Sequence, residues 1–433
     1  MIFALLLLQA SLAERIDALV AEKLPEGARA SILVVRGDRA LYARDAGAAM
    51  IPASNTKLFS TAAAWTRLGR DYRFETRLYL IDGDLHVVAG GDPNISGRFH
   101  DGDPTAVFKS WAARLKGRTI RNIVLHDPHG GAVVHPDWAR YEDGPWWKAP
   151  VAWFSFNDNC VDVRVSPGAA LGDPATISLS PDTAFVTIDN RTTTVNTVAR
   201  GKDVVYSMRP GSIVFSRQIA LKARPPTWSI PVEDPAAYFG AVLSETLSRE
   251  GVRVTGEVVR GSDPIDAEPL LVHRSTLADA LKVTNTRSHN LYAELLARHV
   301  AVSAGRPATF EDAARAVTAF AASIGAGNTA LDDGCGLSRD NRTTARDVVT
   351  LLLRMRDDEM FVGSLAEGGD AGGTLRDRLA GTGIRAKTGT IDGVDALSGY
   401  AGDVTFSILL NGQKSHAEAR ALIDAIAEAV VGR

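Results

Sequence analysis

Apolar and polar positions follow different rhythms along the chain, and each rhythm predicts a different kind of segment. At 15–23 and 55–68 the apolar residues recur at the spacing of a helix with one buried face, and Gly69 closes the second run as a C-terminal cap. Between these, the short runs 31–35 and 40–43 meet at Gly37-Asp38, which predicts a hairpin. From 74 to 268 short alternating runs dominate: 74–81 turns at Asp82-Gly83 into 85–88, and 161–165 stops before Pro167-Gly168. Helices are expected within that stretch only at 105–116 and 235–250. Helical periodicity returns at 275–286, 291–304, 310–324 and 344–355. Strands at 384–390, 396–401 and 404–410 follow, then a helix opened by the capping pattern Ser415-x-x-Glu418.

Strands near both ends can share one sheet, which makes the middle an insertion. The predicted organisation is an α/β (α+β) domain built from 14–73 and 269–433, interrupted by a β-rich region at 74–268 made of two small domains. A length of 433 residues accommodates this at about 150 residues per domain. Apolar residues at 45% and charged residues at 23% are ordinary for a folded chain and exclude wholesale disorder. A net charge of −3 argues against nucleic acid or another polyanion as partner. Two cysteines, Cys160 and Cys335, make no disulfide scaffold and no zinc spacing, so neither metal nor cofactor is expected. Residues 1–8 are almost wholly apolar, and Ser11 and Ala13 are small residues ahead of Glu14, so 1–13 reads as a leader for export. No other run approaches the roughly 18 apolar residues of a membrane span.

Three short motifs carry the chemistry: Ser54-Asn55-Thr56-Lys57, Ser288-His289-Asn290 and Lys387-Thr388-Gly389-Thr390. A lone S-x-x-K tetrad is more often a helix cap followed by a solvated lysine. Here all three occur in order, at a helix start, in an inter-helix loop and on a strand edge, which is the pattern of serine acyl-transfer sites. Positions i and i+3 share a helix face, so the Lys57 amine can reach the Ser54 hydroxyl. A lysine acts as base only when its pKa falls, through burial or a second cation, for which Lys387 is the candidate. Lys387 also suits a substrate carboxylate, Ser288 can pass a proton to a leaving amine, and Asn290 can orient a peptide group.

With these motifs the chain resembles low-molecular-mass penicillin-binding proteins, D-alanyl-D-alanine carboxypeptidase/endopeptidases with large domains inserted between their first two motifs. The long interval from Ser54 to Ser288 fits that type. So do Gly90-Gly91-Asp92-Pro93, Asp333-Gly334-Cys335-Gly336-Leu337-Ser338-Arg339, Gly373-Thr374-Leu375 and Arg385-Ala386 ahead of Lys387. Two departures are His289, where Asp or Asn is usual, and Cys335, where Ser is usual. The resemblance implies a transpeptidase-like domain, an antiparallel sheet with flanking helices. It implies that Ser54 attacks the carbonyl between two D-alanines, Lys57 takes its proton and Ser288 protonates the departing D-Ala. The N–H groups of Ser54 and Thr390 would form the oxyanion hole, and Lys387 and Thr388 would hold the terminal carboxylate. Peptidoglycan stem peptides would be the substrates, β-lactams covalent inhibitors, and the periplasm or another exported location the setting.

Two other functions share these motifs. A serine β-lactamase would need a deacylating base, and Glu294 is the only acidic residue close to the middle loop. A catalytically inert wall-binding protein is the non-enzyme alternative. The stretch His126, Asp127, His129 and His135 fits no metal-ligand spacing. His289 adjoins Ser288 in sequence, but sequence neighbours rarely point at one another. Gly381-Thr382-Gly383 leads into a strand and makes no dinucleotide site. Trp146 and Trp147 are expected in the core.

Overall fold

In the computed structural model, which describes residues 11–142, 146–209, 211–262 and 265–432, the first helix is Leu12–Lys23. It starts earlier than expected because Ser11 and Glu14 form a full capping box, with Ser11 Oγ accepting from the Glu14 N–H and Glu14 accepting from the Ser11 N–H at 2.7 Å. Leu12 and Ala13 pack against the core. Of the expected leader at 1–13, residues 1–10 lie outside the described residues, and 11–13 belong to the start of this helix.

Strands from both ends meet in one six-stranded sheet, in the order Ala366–Glu367, Arg385–Ile391, Val394–Ala401, Val404–Asn411, Arg29–Arg36, Arg39–Arg44. Every pairing in it is antiparallel. The N-terminal strand lies beside the last one, Arg29 opposite Asn411 and Arg36 opposite Val404. One face carries Ile16 and Val20 of the first helix with Leu422, Ile423 and Ile426 of the helix His416–Val430. The other face packs Leu33, Val35 and Leu409 against Ala345 and Val349 of the helix Ala345–Met355. Covered on both sides, these strands need apolar residues at successive positions; all eight residues of Val394–Ala401 are buried.

The chain divides into two units, one comprising 1–72 and 276–433, the other 73–275. In the second, a five-stranded sheet orders Val258–Gly261, Ile123–His126, Asp84–Val88, Arg73–Ile81 and Leu271–Thr276. The helices Ala106–Leu115 and Pro235–Arg249 contribute Phe108, Trp111 and Phe239 to an aromatic cluster. Two three-stranded sheets, one with Cys160–Ser166 at its centre and one with Ser212–Ala220, share a separate core around Val161, Val163, Phe215 and Ile230. Trp146 is 40% exposed and so is not the core residue expected, because it sits on a three-residue helical turn at the surface. His126 is engaged by His86, Nε2 to Nδ1 at 2.9 Å with the rings stacked.

Candidate active site

Ser54 lies in a short 3-10 turn, Ala53–Asn55, that runs straight into the helix Thr56–Arg67. Ser54 is half-buried and Lys57 completely buried. Lys57 Nζ lies 2.9 Å from Ser54 Oγ, 2.6 Å from Asn290 Oδ1 and 2.6 Å from the Cys335 carbonyl oxygen. A neutral amine has two N–H groups and one lone pair. Asn290 Oδ1 and the Cys335 carbonyl accept the two N–H groups, which leaves the lone pair for the Ser54 hydroxyl.

Burial pushes the Lys57 amine below its ordinary range, opposed by the Cys335 thiol, Asp333 and Glu294. Lys387 is also fully buried, and its pKa falls well below normal through burial and then through the Lys57 charge. Repulsion between two charged amines is mutual, and at Lys57 it is opposed by the neighbouring Asp333 charge. Lys387 Nζ donates to Ser288 Oγ and to the Thr388 carbonyl, both at 2.8 Å. Among the described residues it has no ion-pair partner, so an incoming carboxylate meets an uncompensated buried amine.

Ser288 follows the helix Leu277–Thr286, and Asn290 is the first residue of the helix Asn290–Ser303. His289, the departure in the middle motif, is buried with its ring edge-on to Tyr292 at 4.9 Å, turned into the helix packing. The third motif lies on Arg385–Ile391, where only Arg385 and Ala386 pair outward, with Glu367 and Ala366. Positions 387–390 therefore leave an open strand edge among the described residues. Gly389 is required there: a Cβ would come within 2.8 Å of the Pro52 carbonyl and 3.0 Å of Asn55 Nδ2. Thr388 Oγ1 donates to Thr374 Oγ1 at 2.9 Å, and Thr390 Oγ1 to Asp395 Oδ1 at 3.0 Å. All seven expected site residues lie in the first unit.

Several contributors were not foreseen as such. The Cys335 carbonyl has no side-chain signature, although its loop was singled out. Asp333 holds that loop by accepting from the Gly336 N–H, the Ser338 N–H and Asn341 Nδ2 at 2.6, 2.7 and 2.8 Å. Asp395, under Thr390, accepts from Gln413 Nε2 at 3.0 Å and Arg420 Nε at 3.3 Å. Glu294, the candidate β-lactamase base, is completely buried and accepts the Gly334 N–H at 2.9 Å, so it braces the Lys57 loop. Burial first, and then Asp333, pushes its carboxyl up to about 8. Glu294, Asp333 and Cys335 cluster closely enough to suggest a metal, yet Asp333 is committed to those three N–H donors. Cys160 and Cys335 are both free and buried.

The D-Ala-D-Ala carboxypeptidase 3 (S13) family matches residues 12–431. A D-alanyl-D-alanine carboxypeptidase of Actinomadura sp. is 32% identical, over 96% of this chain and 84% of that protein. The D-alanyl-D-alanine carboxypeptidase DacB of Haemophilus influenzae is 25% identical over 88% and 83%. Among solved structures, penicillin binding protein 4 from Haemophilus influenzae superposes with a TM-score of 0.76 at 24% identity, covering 95% of this chain and 97% of that one, which bears on the fold alone.

Proposed function

The chain belongs to the D-Ala-D-Ala carboxypeptidase 3 (S13) family, and from that premise we propose that it hydrolyses cell-wall peptides ending in D-Ala-D-Ala through an acyl-enzyme on Ser54. The observation that carries this reading is the buried Lys57 amine, 2.9 Å from Ser54 Oγ with its two N–H groups already committed.

The terminal carboxylate pairs with Lys387 and Thr388, and Asn290 and the open edge at 387–390 align the peptide beside Ser54. Lys57 takes the Ser54 proton as Oγ attacks the penultimate carbonyl, and the N–H groups of Ser54 and Thr390 receive the developing oxyanion. Ser288, held by Lys387, relays the proton taken up by Lys57 to the nitrogen of the departing D-Ala as the C–N bond breaks, so that the Lys57 amine is again neutral and the Ser288 hydroxyl is restored. Water then splits the Ser54 ester and regenerates the hydroxyl. No cofactor enters these steps. Its substrate places the enzyme's work outside the cytoplasm, and among the described residues no helix is long and apolar enough to cross a membrane.

Benzylpenicillin presents a strained amide beside a carboxylate, so it should acylate the same serine. Glu294 is enclosed behind the Lys57 loop and is not placed to drive deacylation. Intact-mass measurement should therefore find a persistent one-to-one adduct, mapped by peptides to Ser54 and absent from a folded Ser54→Ala variant. Rapid hydrolysis of the antibiotic without an adduct, or no reaction at all, would overturn the reading.

A further inference from the structure

The strand Val394–Ala401 is buried along its whole length, yet its second residue is an aspartate that is only 1% exposed. Aspartate is a poor strand former, and a carboxylate taken out of water is costly unless it is fully hydrogen-bonded. Asp395 meets that condition. Its Oδ2 accepts from Gln413 Nε2 at 3.0 Å and faces His416 Nδ1 at 2.6 Å, where a carboxylate calls for an N–H on the ring. Its Oδ1 accepts from Thr390 Oγ1 at 3.0 Å and from Arg420 Nε at 3.3 Å.

Two elements bring these donors together. Thr390 stands directly opposite Asp395 in the pairing of Arg385–Ile391 with Val394–Ala401. His416 and Arg420 lie four positions apart on the helix His416–Val430, hence on one face, and Ser415 caps that helix by accepting the Glu418 N–H at 3.3 Å. The Thr390 hydroxyl is thereby engaged in both senses: it donates to Asp395, and Arg420 Nη2 approaches it at 3.4 Å. Its one proton is committed, which leaves a substrate carboxylate to Lys387 and Thr388. The tie to Asp395 instead holds the strand. Residues 387–390 have no neighbouring strand on their outer edge among the described residues, and an edge without ladder bonds is the more easily displaced. In the proposed reaction the Thr390 N–H meets the oxyanion at that edge.

We propose that Asp395 is a positioning residue for acylation: by fixing the Thr390 side chain to the helix His416–Val430, it holds the Thr390 N–H where the oxyanion develops. The inference rests on the Ser54 acyl-transfer reading and adds no step to it. Asp395 exchanges no proton and touches no reacting atom; it acts through Thr390. Preorganised donors stabilise a developing charge only if they keep their place while it builds, so a looser Thr390 costs rate rather than binding.

The test uses the full-length protein and benzylpenicillin at increasing concentrations, which separates the dissociation constant of the first complex from the rate constant of acylation. Asp395→Asn keeps the size of the side chain but offers one acceptor oxygen in place of two. It should lower the acylation rate constant by about tenfold or more, the loss of a charge-assisted hydrogen bond, and change the dissociation constant by less than about threefold. Thr390→Val breaks the same link from its other end and should do likewise, so the double variant should be no slower than the slower single variant. Thr390→Ser, which keeps the hydroxyl, should acylate at close to the parent rate. All rates are taken well below the thermal transition of the weakest variant, and that transition records each variant's stability. Should Asp395→Asn fail to fold, Thr390→Val against Thr390→Ser still decides, since the hydroxyl joined to Asp395 separates them. A lower thermal midpoint with an unchanged acylation rate, or losses that multiply in the double variant, would make Asp395 a structural residue only and overturn the proposal. A weakened first complex with an unchanged rate constant would place the Thr390 hydroxyl on the substrate and overturn it equally. If the folded parent takes no penicillin, the acyl-transfer reading itself fails and the inference falls with it.

Discussion

Lys57 and Lys387 are both buried amines, and what surrounds each decides its part. Lys57 has Asp333 and Glu294 nearby and two fixed acceptors, so it can hold its lone pair toward Ser54. Burial and the Lys57 charge disfavour the charged form of Lys387, which has no ion-pair partner among the described residues, so in the proposed reaction a substrate carboxylate supplies the counter-charge. Lys387→Ala should therefore lower kcat/KM for a carboxylate-terminated peptide by about ten- to hundredfold, the loss of one charge-assisted hydrogen bond of roughly 1.5–3 kcal/mol. The same variant should change turnover of the matching C-terminal amide far less; equal losses on both would remove the carboxylate role. Glu294 gives a pH prediction. Its folded pKa, about 8, lies above the ordinary 4.5, so the folded state holds a proton that the unfolded chain releases. The stability this brings is complete below about 4.5 and is lost as pH rises through 8. Glu294→Gln keeps an oxygen for the Gly334 N–H but cannot titrate. The difference in thermal midpoint between parent and variant should thus swing in the variant's favour between pH 5 and 9; a constant difference across that range would mean that Glu294 is ionised throughout.

At the scale of elements, the backbone is strained just before Ser54 and at Ser288, the two serines proposed to act in catalysis, and neighbouring segments enforce it. Ala53 has φ +47 and Ser288 φ +60, left-handed conformations that cost a non-glycine residue on the order of 1–3 kcal/mol. The loop at 333–341 holds the first in place: Gly336, at φ +93, packs so tightly that a Cβ there would stand 1.9 Å from the Ala53 carbonyl oxygen. Gly336→Ala therefore meets both an unfavourable φ and a backbone collision. It should cost several-fold to hundredfold in the rate of acylation by benzylpenicillin even where the protein still folds, as judged by its thermal transition; an unchanged rate would show that the loop does not set the Ser54 geometry. This coupling marks the limit of what was legible in the sequence. The pairs Ser54–Lys57 and Ser288–Asn290 could be read because helix and loop spacing place them together locally. The Cys335 acceptor of Lys57 could not, because it is a backbone carbonyl and any residue would supply one. Asp395 was equally hidden, since only the strand register that sets it opposite Thr390 and the helix His416–Val430 bring its partners to it.

On the scale of the whole molecule, the sequence order of helix, hairpin, long β-rich stretch, helices and strands was enough to suggest one sheet drawn from both ends. The reason is physical: 32–35 and 408–410 are wholly apolar, which suits strands covered on both faces. The register between them, and the division of 73–275 into separate sheets, depend on long-range pairing that no local pattern encodes. The first unit has its own cores on both faces of its sheet, and its chain leaves and returns at one place, since the Leu277 N–H donates to the Tyr72 carbonyl at 3.3 Å. A short connection can therefore replace 73–275 without stretching the backbone, and shortening a loop lowers its closure entropy, by about 0.6 kcal/mol for each halving. All seven proposed site residues, and every contact among Ser54, Lys57, Asn290, Cys335, Ser288 and Lys387, belong to the unit that remains. A chain with a few Gly and Ser residues joining Tyr72 to Thr276 should unfold cooperatively and take one benzylpenicillin per molecule at Ser54. Failure to fold would mean that the first unit depends on the insertion for stability; a folded protein that takes no penicillin would mean that the insertion completes the site. Only the expected result would make the insertion dispensable for acylation and leave it free to govern which wall peptides reach Ser54.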